Sequence, residues 1–246
     1  MPRFYLPPSE WDPERLCLRD AEAHHCIDVL RMQAGDSAIL FNGVGGEASV
    51  EVEALGRREV RFRCVRVRQS PVPACRITLG IGVPKGKMME WVVEKATELG
   101  AARVVPLLTR RSVVQIDGAE RIRKQEKWQR VAVEAAKQCG QNWIPEVAVP
   151  QSLEALLGEE SEGGVRLVGS LQGDSLPLRD VLRERDGGVR PSAALFLIGP
   201  EGDFDAGELR MAQERGVQAV SFGSLVLRCE TAALYAMSIL RHELLC

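Results

Sequence analysis

From residue 77 to residue 244 short apolar runs alternate with helical stripes. That alternation commits most of the chain to an α/β domain with a mainly parallel sheet. Residues 77–83 read as a strand. Residues 88–99 then place apolar side chains at 89, 92, 93, 96 and 99, a helical stripe that Gly100 closes. Residues 104–108 are a second strand and 119–139 a long helix. Trp128, Val131, Ala132, Ala135 and Cys139 lie on or near one face of that helix, with Gly140 as its stop. The alternation continues through a strand at 147–149, a helix at 153–157, a strand at 165–168, a helix near 178–184 and a strand at 194–198. Asp205 and Glu208 have the spacing of a capping box opening a helix at 206–215. A strand at 217–222 and a helix from about residue 230 to 244 complete the pattern.

Residues 1–70 read as a small β-rich module. A strand at 35–41 runs into Asn42-Gly43, a hairpin signal, and residues 44–52 resume it. Between residues 60 and 67 the apolar positions fall at 60, 62 and 64, then shift to 65 and 67. A one-residue slip of this kind is what a β-bulge produces, and bulges help small sheets curl. Ser70-Pro71-Val72-Pro73 interrupts any ladder and divides the chain into expected domains at 1–70 and 74–246.

Composition removes several classes. No apolar run approaches the roughly 18 residues of a membrane span, and the proline-rich start lacks the apolar stretch of a secretory leader. The seven cysteines are odd in number and scattered without a CxxC pair, which points to reduced thiols in the cytoplasm. His24, His25 and His242 lack ligand spacing, so no metal site is expected. The net charge of −2 does not advertise a nucleic-acid binder, but its distribution is uneven. Residues 57–68 carry six arginines against Glu59, and residues 103–137 carry nine basic residues against four acids. Such local surfaces can bind phosphate on a near-neutral chain.

The glycines at 80, 82 and 86 fall between a strand and a helix, but their spacing is not that of a dinucleotide fingerprint. Pro84 occupies the turn, and no acid ends the next strand. No Walker A sequence and no GxSxG elbow occurs. The informative segments lie later. The strand at 194–198 ends in Gly199-Pro200-Glu201-Gly202-Asp203-Phe204, and the strand at 217–222 leads into Gly223-Ser224-Leu225-Val226-Leu227-Arg228-Cys229-Glu230-Thr231. Each loop alone could be a tight turn before a helix, with Glu230 beside the helix dipole. Together they offer glycines, backbone amides, an apolar rim and an Arg/Glu pair where open α/β sheets collect ligands.

Gly199-Pro200-Glu201-Gly202 combined with Leu227-Arg228-Cys229-Glu230-Thr231-Ala232 resembles the bacterial ribosomal RNA uridine-N3 methyltransferases, the RsmE-type members of the SPOUT superfamily. Matches continue upstream: His24-His25, Val29 to Met32, Gly35-Asp36, Asn42-Gly43, Pro84-Lys85-Gly86, Met89-Glu90, residues 95–100, 128–136, 138–140 and Pro145-Glu146. The resemblance implies an N-terminal PUA-like barrel for RNA and a C-terminal trefoil-knotted methyltransferase domain. It implies S-adenosyl-L-methionine held by Leu171, Leu197, Ile198, Gly199, Pro200, Glu201, Gly202, Phe222, Gly223, Leu225, Val226, Leu227, Thr231 and Ala232. The expected target is N3 of a uridine in 16S ribosomal RNA, presented as naked RNA or in the 30S subunit, with a homodimer completing the site. Arg228 is the expected electrostatic catalyst, while Glu230 either orients it or acts as general base. Arg31, Arg61, Arg63, Arg66, Arg68, Lys85, Arg110 and Arg111 are expected to meet RNA.

Several positions depart from the family pattern. Asp203 stands where a second glycine is common, Leu225 and Met88 where arginine is frequent, and Gln141 and Trp143 where basic residues are frequent. These motivate two alternatives: a noncatalytic RNA-binding assembly factor, and a SPOUT enzyme acting at another RNA position.

Overall fold

The computed structural model describes residues 1–112, 114, 116–159, 164–171, 175–184 and 190–246. These form two compact units, residues 1–72 with 133–144, and residues 73–132 with 145–246.

The first unit holds β1 (Arg3–Tyr5), β2 (Cys17–Arg19), α1 (Asp20–His24), β3 (Ser37–Phe41), β4 (Gly46–Leu55) and β5 (Glu59–Gln69). The strands order as β1-β3-β4-β5-β2 in one sheet, whose core side buries Phe4, Leu18, Leu40, Val50 and Phe62. β1 and β2 have only three residues each, too few for alternation to reveal them in the sequence. The Asn42-Gly43 signal does mark a hairpin, but the connection spans residues 42–45 rather than two residues. Asn42 Oδ1 accepts from the N–H groups of Val44 (3.0 Å) and Gly46 (2.8 Å), so this side chain holds the longer loop closed.

The phase slip has a direct structural counterpart. Cys64 pairs with Val50 and Arg66 pairs with Ser49, which leaves Val65 as an extra residue on β5. Residues opposite one another in a ladder share a face. Arg63, Arg66 and Arg68 therefore all sit with Glu51, Ser49 and Glu47, away from the face of buried Phe62 and Val50. If Val65 instead took a regular place in the ladder, Arg66 and Arg68 would turn to the core side, because strand side chains alternate strictly. Deleting Val65 makes Cys64 and Arg66 neighbours on opposite faces, so the ladder becomes regular with the arginines still outward. Because Val65 is exposed, stability read from the urea midpoint is expected to change by no more than about 0.5 kcal/mol. A loss of about 1 kcal/mol or more would contradict this reading of Val65 as an extra residue outside the ladder.

The second unit contains β6 (Arg76–Gly82), α2 (Met88–Glu98), β7 (Arg103–Leu108), α3 (Gly118–Cys139), β8 (Glu146–Val147), β9 (Gln151–Ser152), α4 (Leu153–Gly158) and β10 (Val165–Gly169). It continues with β11 (Leu176–Pro177), α5 (Leu178–Glu184), β12 (Ala193–Ile198), α6 (Ala206–Glu214), β13 (Gln218–Ser221) and α7 (Cys229–Leu245). The end of α3 and the segment to residue 144 belong to the first unit, where Trp143 bridges Val44 and donates its indole N–H to the Pro71 carbonyl at 3.0 Å.

The sheet order is β11-β13-β10-β12-β6-β7-β8, with β9 also on β7, and every pairing is parallel. Central β12 reads Ala-Ala-Leu-Phe-Leu-Ile and is buried along nearly its whole length, as a strand covered on both faces must be. The expected strand at 147–149 is instead two short pieces, because Pro150 between them has no N–H for a ladder. α2 buries Met89, Val92, Val93 and Ala96 and packs on α7. The expected capping box is present: the Glu208 N–H donates to Asp205 Oδ1 at 2.7 Å, and the Asp205 N–H donates to Glu208 Oε2 at 2.9 Å. A wholly parallel sheet puts the carboxyl ends of its strands along one edge, and there the functional loops gather.

Candidate functional site

The loops after β6, β10, β12 and β13 enclose a cleft of about 830 Å³. From β12 it takes Ile198, Gly199, Pro200, Glu201 and Asp203, and from β13 Ser221, Phe222 and the run Gly223 to Glu230. The β6 loop adds Lys85 and Met88, the β10 loop Gly169, Ser170 and Leu171, and the first turn of α7 adds Ala232.

Backbone geometry explains two glycines, one by close approach and one by its dihedral angle. A Cβ on Gly82 would lie 2.5 Å from both the ring and the nitrogen of Pro200, so β6 and the β12 loop can touch only if residue 82 has no side chain. Gly223 has φ 105, a conformation that an L side chain rarely adopts, and it releases the chain from β13 into the cleft. Asp203, where glycine is common in the resembling family, has φ 60. Its carboxylate accepts from the Phe204 N–H at 2.8 Å and its own N–H donates to the Pro200 carbonyl at 2.8 Å, so the turn persists with an aspartate in a left-handed position.

Beyond Gly223 the chain offers its backbone. The N–H groups of Ser224, Leu225, Val226 and Leu227 donate to no other described residue. The side chains of Leu225 and Val226 are 75% and 76% exposed, and Leu171 across the cleft is 63% exposed. Apolar side chains held open beside unbonded amides suit the lining of a small-molecule site. Phe222 floors it, stacked on buried Phe196 with ring centroids 5.7 Å apart and edged by Tyr235 at 5.2 Å.

The charged groups cluster on one side. Arg228 precedes α7 and is exposed; its carbonyl accepts from the Ala232 N–H at 2.8 Å, while its side chain forms no hydrogen bond or ion pair with another described residue. It makes no ion pair with Glu230, whose Oε2 takes only a thiol contact from Cys229 at 3.3 Å. Burial, then Glu230 and Glu201, push the Cys229 thiol up to about 12. This thiol is thus neutral and a poor nucleophile. At pH 8 iodoacetamide is expected to label the exposed Cys139 and Cys246 and to spare Cys229. Equal labelling of Cys229 in peptide mass spectra would contradict this environment. Glu201 Oε1 accepts from the Lys85 N–H at 3.0 Å, which draws the β6 loop to the β12 loop and leaves the Lys85 ammonium on the rim.

Not every expected residue lines the cleft. Leu197 is fully buried in the core behind it. Gly202 faces the segment after β7, and Thr231 faces outward with Leu234 and Tyr235. Arg110 pairs with Asp205 at 3.1 Å, and Arg111 donates to the Gly202 carbonyl at 3.1 Å. In the first unit Arg61, Arg63, Arg66 and Arg68 share the outer face of β5, and Arg31 follows a single π-helical turn at His25–Val29 with φ 53. Gly169, Ser170 and Ser221 line the cleft without having been anticipated. The signal was Val168-Gly169-Ser170, a third apolar run ending in small residues, like those at 198–199 and 222–223.

Residues 70–241 match the RNA methyltransferase domain family, and residues 18–63 match the RNA methyltransferase PUA domain. The ribosomal RNA small subunit methyltransferase E of Bacillus subtilis is 31% identical over 230 residues, spanning 90% of this chain and 88% of that relative. The Legionella pneumophila protein Lpg2936, solved with the cofactor SAM, superposes with a TM-score of 0.86 at 33% identity, covering 98% of this chain and 96% of that one. A ribosomal RNA small subunit methyltransferase E from Neisseria gonorrhoeae, solved with S-adenosyl methionine, gives a TM-score of 0.86 at 27% identity, covering 98% and 97%. With its PUA-like curled sheet and its parallel-sheet catalytic domain, the chain belongs to the RNA methyltransferase family that includes the ribosomal RNA small subunit methyltransferases E.

Proposed function

We propose that this protein transfers the methyl group of S-adenosyl-L-methionine to N3 of a uridine in 16S ribosomal RNA. The observation that carries this reading is the meeting, at one cleft, of an open apolar and amide-lined loop with an unpaired arginine. The residues fit such a donor. The volume lies within the roughly 300–1,000 Å³ of small-molecule sites. Ile198, Leu225, Val226 and Leu171 can cover a purine, and the amides of residues 224–227 can meet its polar edge. The relatives named above, two of them solved with the same donor, support the assignment.

When bound, the donor supplies an electrophilic methyl group on a sulfonium sulfur. Everything else falls to the chain. Uridine N3 is a weakly acidic imide flanked by two carbonyls, so attack requires its proton to leave and negative charge to spread onto oxygen. Arg228 donates to a carbonyl oxygen where that charge grows. Glu230 is not committed to Arg228, which favours its service as general base over an orienting role. N3 lies on the pairing edge, so the nucleotide enters unpaired. Lys85 on the rim and the β5 arginines meet phosphates and carry no sequence readout.

The same reading places the protein in the cytoplasm, gives its catalytic domain the trefoil knot of the SPOUT class, and makes it a homodimer. A shallow apolar groove on α7, lined by Thr231, Leu234, Tyr235, Ser238, Ile239 and His242, supports the dimer. The testing experiment is transfer of labelled methyl from S-adenosylmethionine to purified 16S RNA and to 30S subunits. Incorporation at a uridine is expected in at least one, and none in either would overturn the proposal.

A further inference from the structure

The segment after β7 carries Arg110 and Arg111, whose charge suggests RNA phosphate as their partner. Their contacts lead elsewhere. Glu208 is a carboxylate only 7% exposed, and it accepts from backbone on two sides: Oε2 from the Asp205 N–H at 2.9 Å and Oε1 from the Arg110 N–H at 3.0 Å. A buried carboxylate is tolerated where hydrogen bonds satisfy it, and here those bonds join the β7 loop to the start of α6. The Arg110 guanidinium adds a pair to Asp205, the helix-capping residue. Arg111 crosses the β12 loop itself. Its guanidinium donates to the Gly202 carbonyl, and a Cβ built on Gly202 would lie 3.1 Å from the Arg111 Cβ and 3.4 Å from its carbonyl oxygen. Residue 202 is therefore closely fitted against Arg111. Thr109 and Ser112 close the segment on itself: the Ser112 N–H donates to the Thr109 carbonyl at 3.1 Å, and the two hydroxyls lie 2.9 Å apart.

From this bracket we infer that residues 109–112 form a strap that fixes the donor-binding loop at 199–205, with Glu208, Arg110 and Arg111 as positioning residues rather than RNA contacts. Each exposed ion pair alone contributes little. The strap depends on the buried Glu208 bridge and on the fit of Arg111 over Gly202 acting together. The inference rests on the methyltransferase reading, since it assigns the loop to the donor.

Two ligands separate the possibilities: S-adenosylmethionine by calorimetry, and a 16S RNA transcript by filter binding across a salt series. In folded Arg111→Ala the Kd for S-adenosylmethionine is expected to rise about five- to tenfold, the scale of one or two lost hydrogen bonds. The slope of RNA affinity against salt should stay at the wild-type value. Arg111→Lys should recover part of the loss, because an ammonium can still reach one carbonyl. Gly202→Ala, which leaves both arginines in place, should weaken donor binding in the same way. An unchanged Kd in folded Arg111→Ala would overturn the strap. So would a salt slope reduced by about one, the signature of a lost phosphate contact. Failure of the wild-type protein to bind S-adenosylmethionine would instead overturn the methyltransferase reading itself.

Discussion

Arg228→Ala is expected to lower kcat by about 10²–10³-fold, the usual cost of removing one preorganised donor to developing negative charge, while the Kd for S-adenosylmethionine stays close to wild type. The split follows from where Arg228 sits. Its side chain is exposed at the start of α7 and forms no hydrogen bond or ion pair with another described residue, so its loss breaks no bond that holds the helix or the apolar part of the cleft. Arg228→Lys should recover only part of the rate, because an ammonium keeps the charge but loses the planar fork. Single-turnover methylation and calorimetry check both halves. A wild-type rate in Arg228→Ala would remove it from the chemistry, and a large loss of donor affinity would make it a binding residue instead.

Gly82→Ala should have the second largest effect, and of the opposite kind. The new Cβ would meet the nitrogen and ring of Pro200 at 2.5 Å, and neither is the free end of a flexible side chain. Overpacking of this sort costs about 1–3 kcal/mol, which for a chain of this size lowers the unfolding midpoint by roughly 2–4 °C per kcal/mol. Pro200 opens the 199–205 loop, so donor affinity should fall at least about tenfold as the loop is displaced, judged by the same energy. Calorimetry on the folded variant tests this. Unchanged donor binding would mean that the close contact of β6 with the β12 loop does not shape the site.

These two variants mark what could and could not be read in the sequence. The β6-to-β13 alternation was legible because parallel strands and their covering helices write their burial as runs and stripes, as β12 and α2 do. The bulge at Val65 was legible because an extra residue shifts alternation by one. β1, β2 and β11 were not, since two or three residues carry no period. The loops around 199–202 and 222–230 could be marked as a site from glycines and an Arg/Glu pair. The third contributing loop, at 169–171, gave a fainter sign. What sequence could not supply was side-chain direction. Gly202 and Thr231 sit within the motifs yet face away from the cleft, and Arg110 and Arg111 look basic and free but are engaged. The long reach from Lys85 to Glu201 is likewise visible only once β6 and β12 lie side by side.

The proposed reaction of this protein is methylation of a pairing-edge nitrogen in small-subunit RNA. It is tested most directly by primer extension across 16S RNA from cells with and without this gene, with nucleoside mass spectrometry of the same RNA. An N3 methyl blocks base pairing. One reverse-transcriptase stop at a uridine, with N3-methyluridine in the digest, is expected with the gene and lost without it. Identical traces and identical nucleosides from both strains would contradict it.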